Sequence, residues 1–264
     1  MTQQAAATGR NIDINGVSIY IEEQGKGVPV VLVHGGTMTA SMYEATVPLL
    51  SNDFRVVTFD SRGHGRSTNP TGELNYGAIT DDTAALIDAL GLDRPFVGGW
   101  SDGGQVALEF GLRHPSVARG LIVGAAYTDF QSEAAQAMVR SIFGTDETDI
   151  IDFDAFERNA PGFVGFLESI HPRGPKQWQA VAQQTLTMYL EYSGLQQEHI
   201  EHIQTPAIVI LGDRDSISLD EALNLYRWLP NAELAILPGA DHMRPMMDPA
   251  TFAAVTLDFM RRHS

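Results

Sequence analysis

The sequence predicts an α/β fold: a mostly parallel, doubly wound sheet with a helical cap inserted into it. Three observations carry that expectation. Short, nearly continuous apolar runs recur along the chain, amphipathic helical patterns separate them, and one long stretch between two of the runs holds helical patterns only. The 264 residues suffice for one large α/β domain with a sizeable core plus a modest insertion.

The elements follow in order. Ile12 to Glu22 alternates around Asn15-Gly16, a dipeptide suited to a tight hairpin at the sheet edge. Apolar runs then occur at Val28–Val33, Val56–Phe59, Phe96–Gly98, Leu121–Val123, Ala207–Leu211 and Leu234–Leu237. Runs of this kind suit parallel strands covered by helices on both faces. Ile79, Thr83, Leu86, Ile87 and Leu90 recur at helical spacing, with Gly91 placed to end the helix. Val106, Phe110 and Arg113 mark a second helix, stopped by Pro115, and Phe252, Val255 and Phe259 mark the terminal one. Strands alternating with helices imply right-handed crossovers. From Tyr127 to His202 the pattern is helical throughout and rich in Phe, Met, Trp and Tyr, more chain than one crossover needs. The expected division is a core of residues 1–126 and 203–264, with residues 127–202 as the inserted cap.

Composition narrows the partners. Hydrophobic residues make up 44% and charged residues 19%, ordinary for a soluble globular protein. The net charge is −16, from 17 Lys+Arg and 33 Asp+Glu, and no basic run offsets it, so no nucleic-acid partner is expected. The absence of cysteine excludes disulfides, thiolate metal sites and a cysteine nucleophile, and it fits a reducing compartment. Met1 to Arg10 lacks the apolar segment of a signal peptide, and runs such as Val28–Val33 are too short to cross a bilayer. The expectation is a soluble cytoplasmic protein with no membrane partner.

The segment that carries chemistry is Pro95-Phe96-Val97-Gly98-Gly99-Trp100-Ser101-Asp102-Gly103-Gly104. Its Gly-x-Ser-x-Gly core, Gly99 to Gly103, lies between an apolar strand and an amphipathic helix. Flanking glycines let such a turn close tightly and hold Ser101 out above the sheet edge. The helix behind it points N–H groups and its positive dipole end at developing negative charge. A hydroxyl nucleophile needs a base, and the base an orienting carboxylate. Gly212-Asp213-Arg214-Asp215 follows one later run and Pro238-Gly239-Ala240-Asp241-His242 the next. Both segments lie past the carboxyl ends of strands, where catalytic groups gather in such sheets. His34-Gly35-Gly36-Thr37 supplies a second glycine loop there; the N–H of Gly36, with that of Asp102, is placed to form an oxyanion hole.

The remaining histidines read as structural. His114, His199, His202 and His263 lie in polar surroundings expected at the surface, His171 in a loop of the cap, and His34 and His64 in glycine-rich loops. No His-x-x-x-His or His-Glu-x-x-His spacing occurs, and His199 with His202 lacks further ligands nearby, so no metal site is expected. Asp60, Arg62 and Arg66 are expected to brace the loop after the second parallel strand, and Asp241 to bond local N–H groups. The cap aromatics and methionines (Met138, Phe143, Phe153, Phe163, Phe166, Trp178, Met188) are expected mainly as cap core, with a subset facing the pocket. Trp178 is the expected substrate contact on that side, and Tyr43, Met42 and Trp100 are those on the sheet side.

These residues together resemble the α/β-hydrolase superfamily over essentially the whole chain. The matching segments are His34-Gly35-Gly36, Asp60-Ser61-Arg62-Gly63-His64-Gly65-Arg66-Ser67, the turn at Ser101, Gly212 to Asp215, and Gly239 to His242. The resemblance implies the α/β-hydrolase fold and a Ser-His-Asp triad of Ser101, His242 and Asp215. It implies no metal or organic cofactor. In the family the acid is the last residue of a Gly-x-x-Asp turn, which selects Asp215 and leaves Asp213 as the reserve. A serine at the turn disfavours the members with an aspartate nucleophile. The hexapeptide Gly99 to Gly104 is also similar to that of valacyclovirase-like amino-ester hydrolases, in which the acid after the nucleophile implies recognition of a substrate amine. The preferred role for Asp102 is the simpler one of capping or polarising its own helix N-terminus.

The expected function is hydrolysis of small to medium carboxylic esters or lactones through an acyl-enzyme. Two rivals keep the same triad: cofactor-free perhydrolysis of the haloperoxidase kind, and carbon–carbon bond hydrolysis. A third, of another class, is a ligand receptor with little turnover.

Overall fold

Asn15 and Gly16 both take positive φ, 47° and 74°, as a two-residue hairpin turn requires. They join β1 (Thr8–Ile14) to β2 (Val17–Gln24), with Ile14 opposite Val17. This computed structural model describes residues 8–146, 148–159, 161–174 and 176–264; most of the Met1–Arg10 segment lies outside them.

β2 alternates buried and half-buried residues, as a strand covered on one face does. It pairs antiparallel with β4 (Arg55–Phe59), which pairs parallel with β3 (Pro29–Val33). β5 (Phe96–Trp100), β6 (Gly120–Gly124), β7 (Ala207–Gly212) and β8 (Ala232–Leu237) continue in parallel. The eight-stranded order is β1-β2-β4-β3-β5-β6-β7-β8. Every residue of β3, β5, β6 and β7 is buried, as their unbroken apolar runs require. β8 departs from that expectation. It ends the sheet, and only Leu237 of its six residues is buried. An edge strand need not be apolar on both faces, and Glu233 on it pairs with Arg262 instead.

The helices of the sheet layers are α1 (Val47–Leu50), α2 (Tyr76–Ala89) and α3 (Asp102–Arg113) in the first half. Asn75 starts α2 by accepting from the Ala78 N–H at 2.7 Å, and Gly91 beyond its end takes a positive φ of 59°. Between β6 and β7 the chain forms α4 (Glu133–Phe143), α5 (Phe153–Asn159), α6 (Pro161–Ile170), α7 (Gln177–Glu191) and α8 (Gln197–Ile200), with no strand among the described residues. α9 (Leu219–Trp228), α10 (Arg244–Met247) and α11 (Pro249–Arg262) complete the chain. No helix among the described residues is long and apolar enough to cross a membrane.

Two apolar clusters result. The larger surrounds the sheet. The smaller lies among α4 to α7 and holds Val139, Phe143, Ile151, Val164, Leu167, Trp178, Ala182 and Leu186. The helical segment is pinned to the loop after β4: Arg173 Nη2 donates to the Gly63 carbonyl at 3.0 Å, and Gln177 Nε2 to those of Gly63 and Gly65 at 3.1 and 2.7 Å.

Candidate active site

The turn between β5 and α3 owes its shape to glycine. A Cβ on Gly99 would lie 2.0 Å from the Val33 carbonyl oxygen, one on Gly103 1.9 Å from the same atom, and one on Gly104 2.2 Å from the Gly124 carbonyl oxygen. With those side chains absent, β3, β5, β6 and α3 converge beneath Ser101. Ser101 sits at φ 60° and ψ −118° in the position before the first helical residue. Its N–H donates to the Gly124 carbonyl at 2.8 Å, and its own carbonyl accepts from Gly104 and Gln105 at 2.9 and 3.0 Å. A serine at positive φ is strained, and these bonds hold it there.

His242 leaves the loop after β8 and lines the same cavity as Ser101. Its Nδ1 lies 2.9 and 3.1 Å from the two carboxylate oxygens of Asp215, whose side chain is fully buried. The Ile217 N–H donates to the same Oδ1 at 3.0 Å. Asp213, two residues earlier, is exposed, so of the two candidate acids it is Asp215 that pairs with the histidine. Asp241 accepts from the N–H groups of Met243 and Arg244 at 3.1 and 2.9 Å and so shapes the turn after His242.

The loop Gly35-Gly36 faces Ser101, and its backbone is fixed from behind. His34 Nε2 accepts from the Ser61 N–H at 2.9 Å while its Nδ1 donates to the Gly35 carbonyl at 2.8 Å. Burial pushes the imidazole down to about 4, so it stays neutral at ordinary pH. Asp60 accepts from the N–H groups of Ala40 and Arg66, both at 2.8 Å, tying the loop after β4 to the one after β3. Arg62 clasps Asp82 on α2 through two bonds of 2.8 and 2.9 Å. His171, expected in an open loop, is buried at 1% exposure beside His64, their ring centroids 6.1 Å apart. The turn after α6 folds under onto the core, and its sequence does not show that.

Three expected substrate contacts do not line the cavity. Trp178 packs edge-on against Phe153, with ring centroids 5.3 Å apart, inside the cap cluster. Its large ring fills the centre of a small helical layer. Tyr43 and Trp100 lie behind the wall. The Tyr43 hydroxyl donates to the Val33 carbonyl at 2.8 Å and accepts the Trp100 N–H at 3.0 Å, while the Trp100 indole donates to the His242 carbonyl at 2.9 Å. Through these bonds both brace the strand end before Ser101 and the backbone of His242.

The cavity, about 200 Å³, is lined chiefly by apolar groups: Met38, Met42, Phe130, Met138, Ile142, Phe143, Phe156, Phe163 and Ile217 among them. Met138, Phe143 and Phe163 come from the set expected mainly as cap core with a subset facing the pocket; Met38 and Phe130 lie outside that set. Asp102 lines it too, with unexpected partners. Its Oδ1 accepts from the hydroxyls of Tyr76 at 2.9 Å and Tyr189 at 2.7 Å, while its place in the first turn of α3 keeps the carboxyl at the helix N-terminus. Burial pushes its carboxyl up to about 6 against the pull of those two hydrogen bonds. Tyr76 and Tyr189 stand on α2 and α7, so nothing local in the sequence points to them. Among the described residues, no three His, Asp or Glu side chains are grouped to hold a metal ion.

The arrangement brings a serine, a histidine and a buried carboxylate to one mostly apolar pocket. The profile of the "Alpha/beta hydrolase family" matches residues 30–255. The chain is 25% identical to a 2-hydroxymuconate semialdehyde hydrolase of Pseudomonas sp. (strain CF600), over 98% of this chain and 95% of that one. Among solved structures, a thermophilic esterase from Thermogutta terrifontis aligns with a TM-score of 0.77 and 26% identity, covering 98% of this chain and 99% of the other. An enol-lactonase from Burkholderia xenovorans LB400 aligns with a TM-score of 0.73 and 20% identity over 96% and 100%, a likeness of fold.

Proposed function

The chain belongs to the α/β hydrolase family, and on that premise we propose that it is a serine hydrolase acting on small to medium carboxylic esters or lactones. The observation that carries this reading is the convergence, on one apolar cavity, of Ser101 at positive φ and of His242 backed by a fully buried Asp215. Ser101 Oγ attacks the substrate carbonyl carbon as His242 Nε2 takes its proton. Asp215 holds the Nδ1 proton and stabilises the imidazolium. The N–H groups of Gly36 and Asp102 receive the negative oxygen, an effect of about 3–4 kcal/mol per donor in comparable sites. The tetrahedral intermediate collapses as His242 returns the proton to the leaving oxygen. Water then attacks the acyl-enzyme with His242 again as base, which releases the acid and restores Ser101. Helices α4 to α8 act as the cap that keeps this chemistry from bulk water.

The test is hydrolysis of a 4-nitrophenyl acyl ester by the wild type and by Ser101→Ala and Asp215→Asn. Ser101→Ala is expected to remove more than about a thousandfold of kcat, and Asp215→Asn to cost far more than Asp213→Asn. A wild type without ester turnover that binds small ligands tightly would replace the enzyme reading with a receptor. A second reading keeps the triad for carbon–carbon hydrolysis, favoured by the full-length similarity to the semialdehyde hydrolase. Turnover of a vinylogous diketone without turnover of esters would establish it. Product analysis with and without hydrogen peroxide separates both from perhydrolysis.

A further inference from the structure

Asp102 and His242 are the only titratable acid or base among the described residues that line the cavity, apart from tyrosine hydroxyls, and no lysine or arginine lines it. One oxygen of Asp102 takes both tyrosine bonds. The other lies 3.0 Å from where a Cβ on Gly36 would stand, beside the proposed oxyanion loop. Three side chains of the wall that could otherwise donate to an anion are already engaged. The hydroxyls of Tyr76 and Tyr189 are turned onto Asp102, and Gln105 spends its amide on the Tyr192 hydroxyl at 3.1 Å and on the Tyr127 N–H at 3.3 Å.

We infer that Asp102 is a specificity determinant that excludes anionic substrates, so that the site takes acyl groups without a charge. The inference rests on the serine-hydrolase reading of the same cavity. A carboxylate entering this pocket loses its water and finds no cation to replace it. It also meets a like charge: at roughly 6 Å and an effective dielectric of about 20, that repulsion alone amounts to about a hundredfold in binding. The Asp102 carboxyl, at about 6, is mostly ionised at neutral pH. Uncharged esters escape both penalties.

The net charge of −16 also repels anions from the whole surface. Surface repulsion is screened by salt, whereas repulsion inside a buried pocket is screened much less. The experiment compares the 4-nitrophenyl monoester of hexanedioic acid with its terminal amide, a pair that differs in charge but little in shape. Both are measured at about pH 7.5 in low salt and in about 0.5 M sodium chloride. The wild type is expected to favour the amide in kcat/KM by at least about a hundredfold in both salts, and Asp102→Asn to lower that ratio by about a hundredfold, leaving only the desolvation part. A wild-type ratio near one, a ratio that vanishes in salt, or an Asp102→Asn ratio equal to the wild type's each overturns the inference. If Asp102→Asn does not fold, the wild-type ratio in the two salts decides alone. Failure of the wild type to hydrolyse the neutral amide-ester or any other uncharged ester is a different result; it removes the serine-hydrolase reading itself.

Discussion

At the scale of single residues, Asp102 places a mostly ionised carboxylate where burial opposes ionisation. Its ordinary value of 3.8 rises to about 6 in the fold. Between those values the native state holds more protons than the unfolded chain, so stability falls as pH rises from about 4 to about 6 and then levels. At neutral pH the ionised group therefore costs about 3 kcal/mol. Asp102→Asn keeps an oxygen for Tyr76 and Tyr189 and removes that cost. It is expected to raise the thermal midpoint at neutral pH and to lose most of its advantage by about pH 4. A midpoint lowered at neutral pH would show that the tyrosine bonds to the carboxylate outweigh its desolvation. Stability given up at a pocket acid is an arrangement that a functional site tolerates and a purely structural one does not.

At the scale of elements, one substitution has opposite signs in two helices. Alanine ordinarily favours a helix over glycine by about 1 kcal/mol. In α6, a Cβ on the exposed Gly165 meets nothing within 4 Å, so Gly165→Ala is expected to stabilise. In α3, a Cβ on Gly103 falls 1.9 Å from the Val33 carbonyl oxygen, a backbone atom that cannot step aside. Gly103→Ala is expected to lower the thermal midpoint by roughly 10 °C or more, or to prevent folding. Paired melting curves check both signs, and a neutral Gly103→Ala would mean that β3 and α3 can separate. The same close packing explains why the short glycine motif is informative here: β3, β5, β6 and α3 all approach the turn that exposes Ser101.

At the scale of the molecule, the cavity is lined by residues of both apolar clusters, and Ile170 and Tyr189 pack against both. Tyr189 on α7 reaches across it to Asp102, while Arg173 and Gln177 hold the start of α7 to the loop after β4. Together with the apolar packing of Met188 and Leu195 in the sheet cluster, these polar contacts register the helices over Ser101. Gln177→Ala removes two of them. Faster amide exchange is expected in α6 and α7, with β5 and β6 unchanged. Uniform exchange in wild type and variant would show that the apolar contacts alone set the position of the cap.

Much of this protein is set locally and can be read from its chain. The Asn15-Gly16 hairpin, the fully buried runs of β3, β5, β6 and β7, the glycine turn at Ser101 and the positions of Asp215 and His242 past strand ends each follow from short-range sterics or from the period of apolar residues. β8 shows the limit, because whether a strand ends the sheet depends on its neighbours and not on its own residues. The pocket shows it more fully. Tyr43, Trp100 and Trp178 are large and apolar enough for a substrate wall, yet packing puts all three behind it or inside the cap. The wall is made of residues from α2, α3, α4 to α7 and the loops, and the partners of Asp102 lie 26 and 87 positions away along the chain. The sequence by itself determined the strand–helix framework and the turn that exposes Ser101. Only the tertiary structure decided the charge and the lining of the cavity, because burial and contacts between distant residues depend on distances through space that no local pattern records.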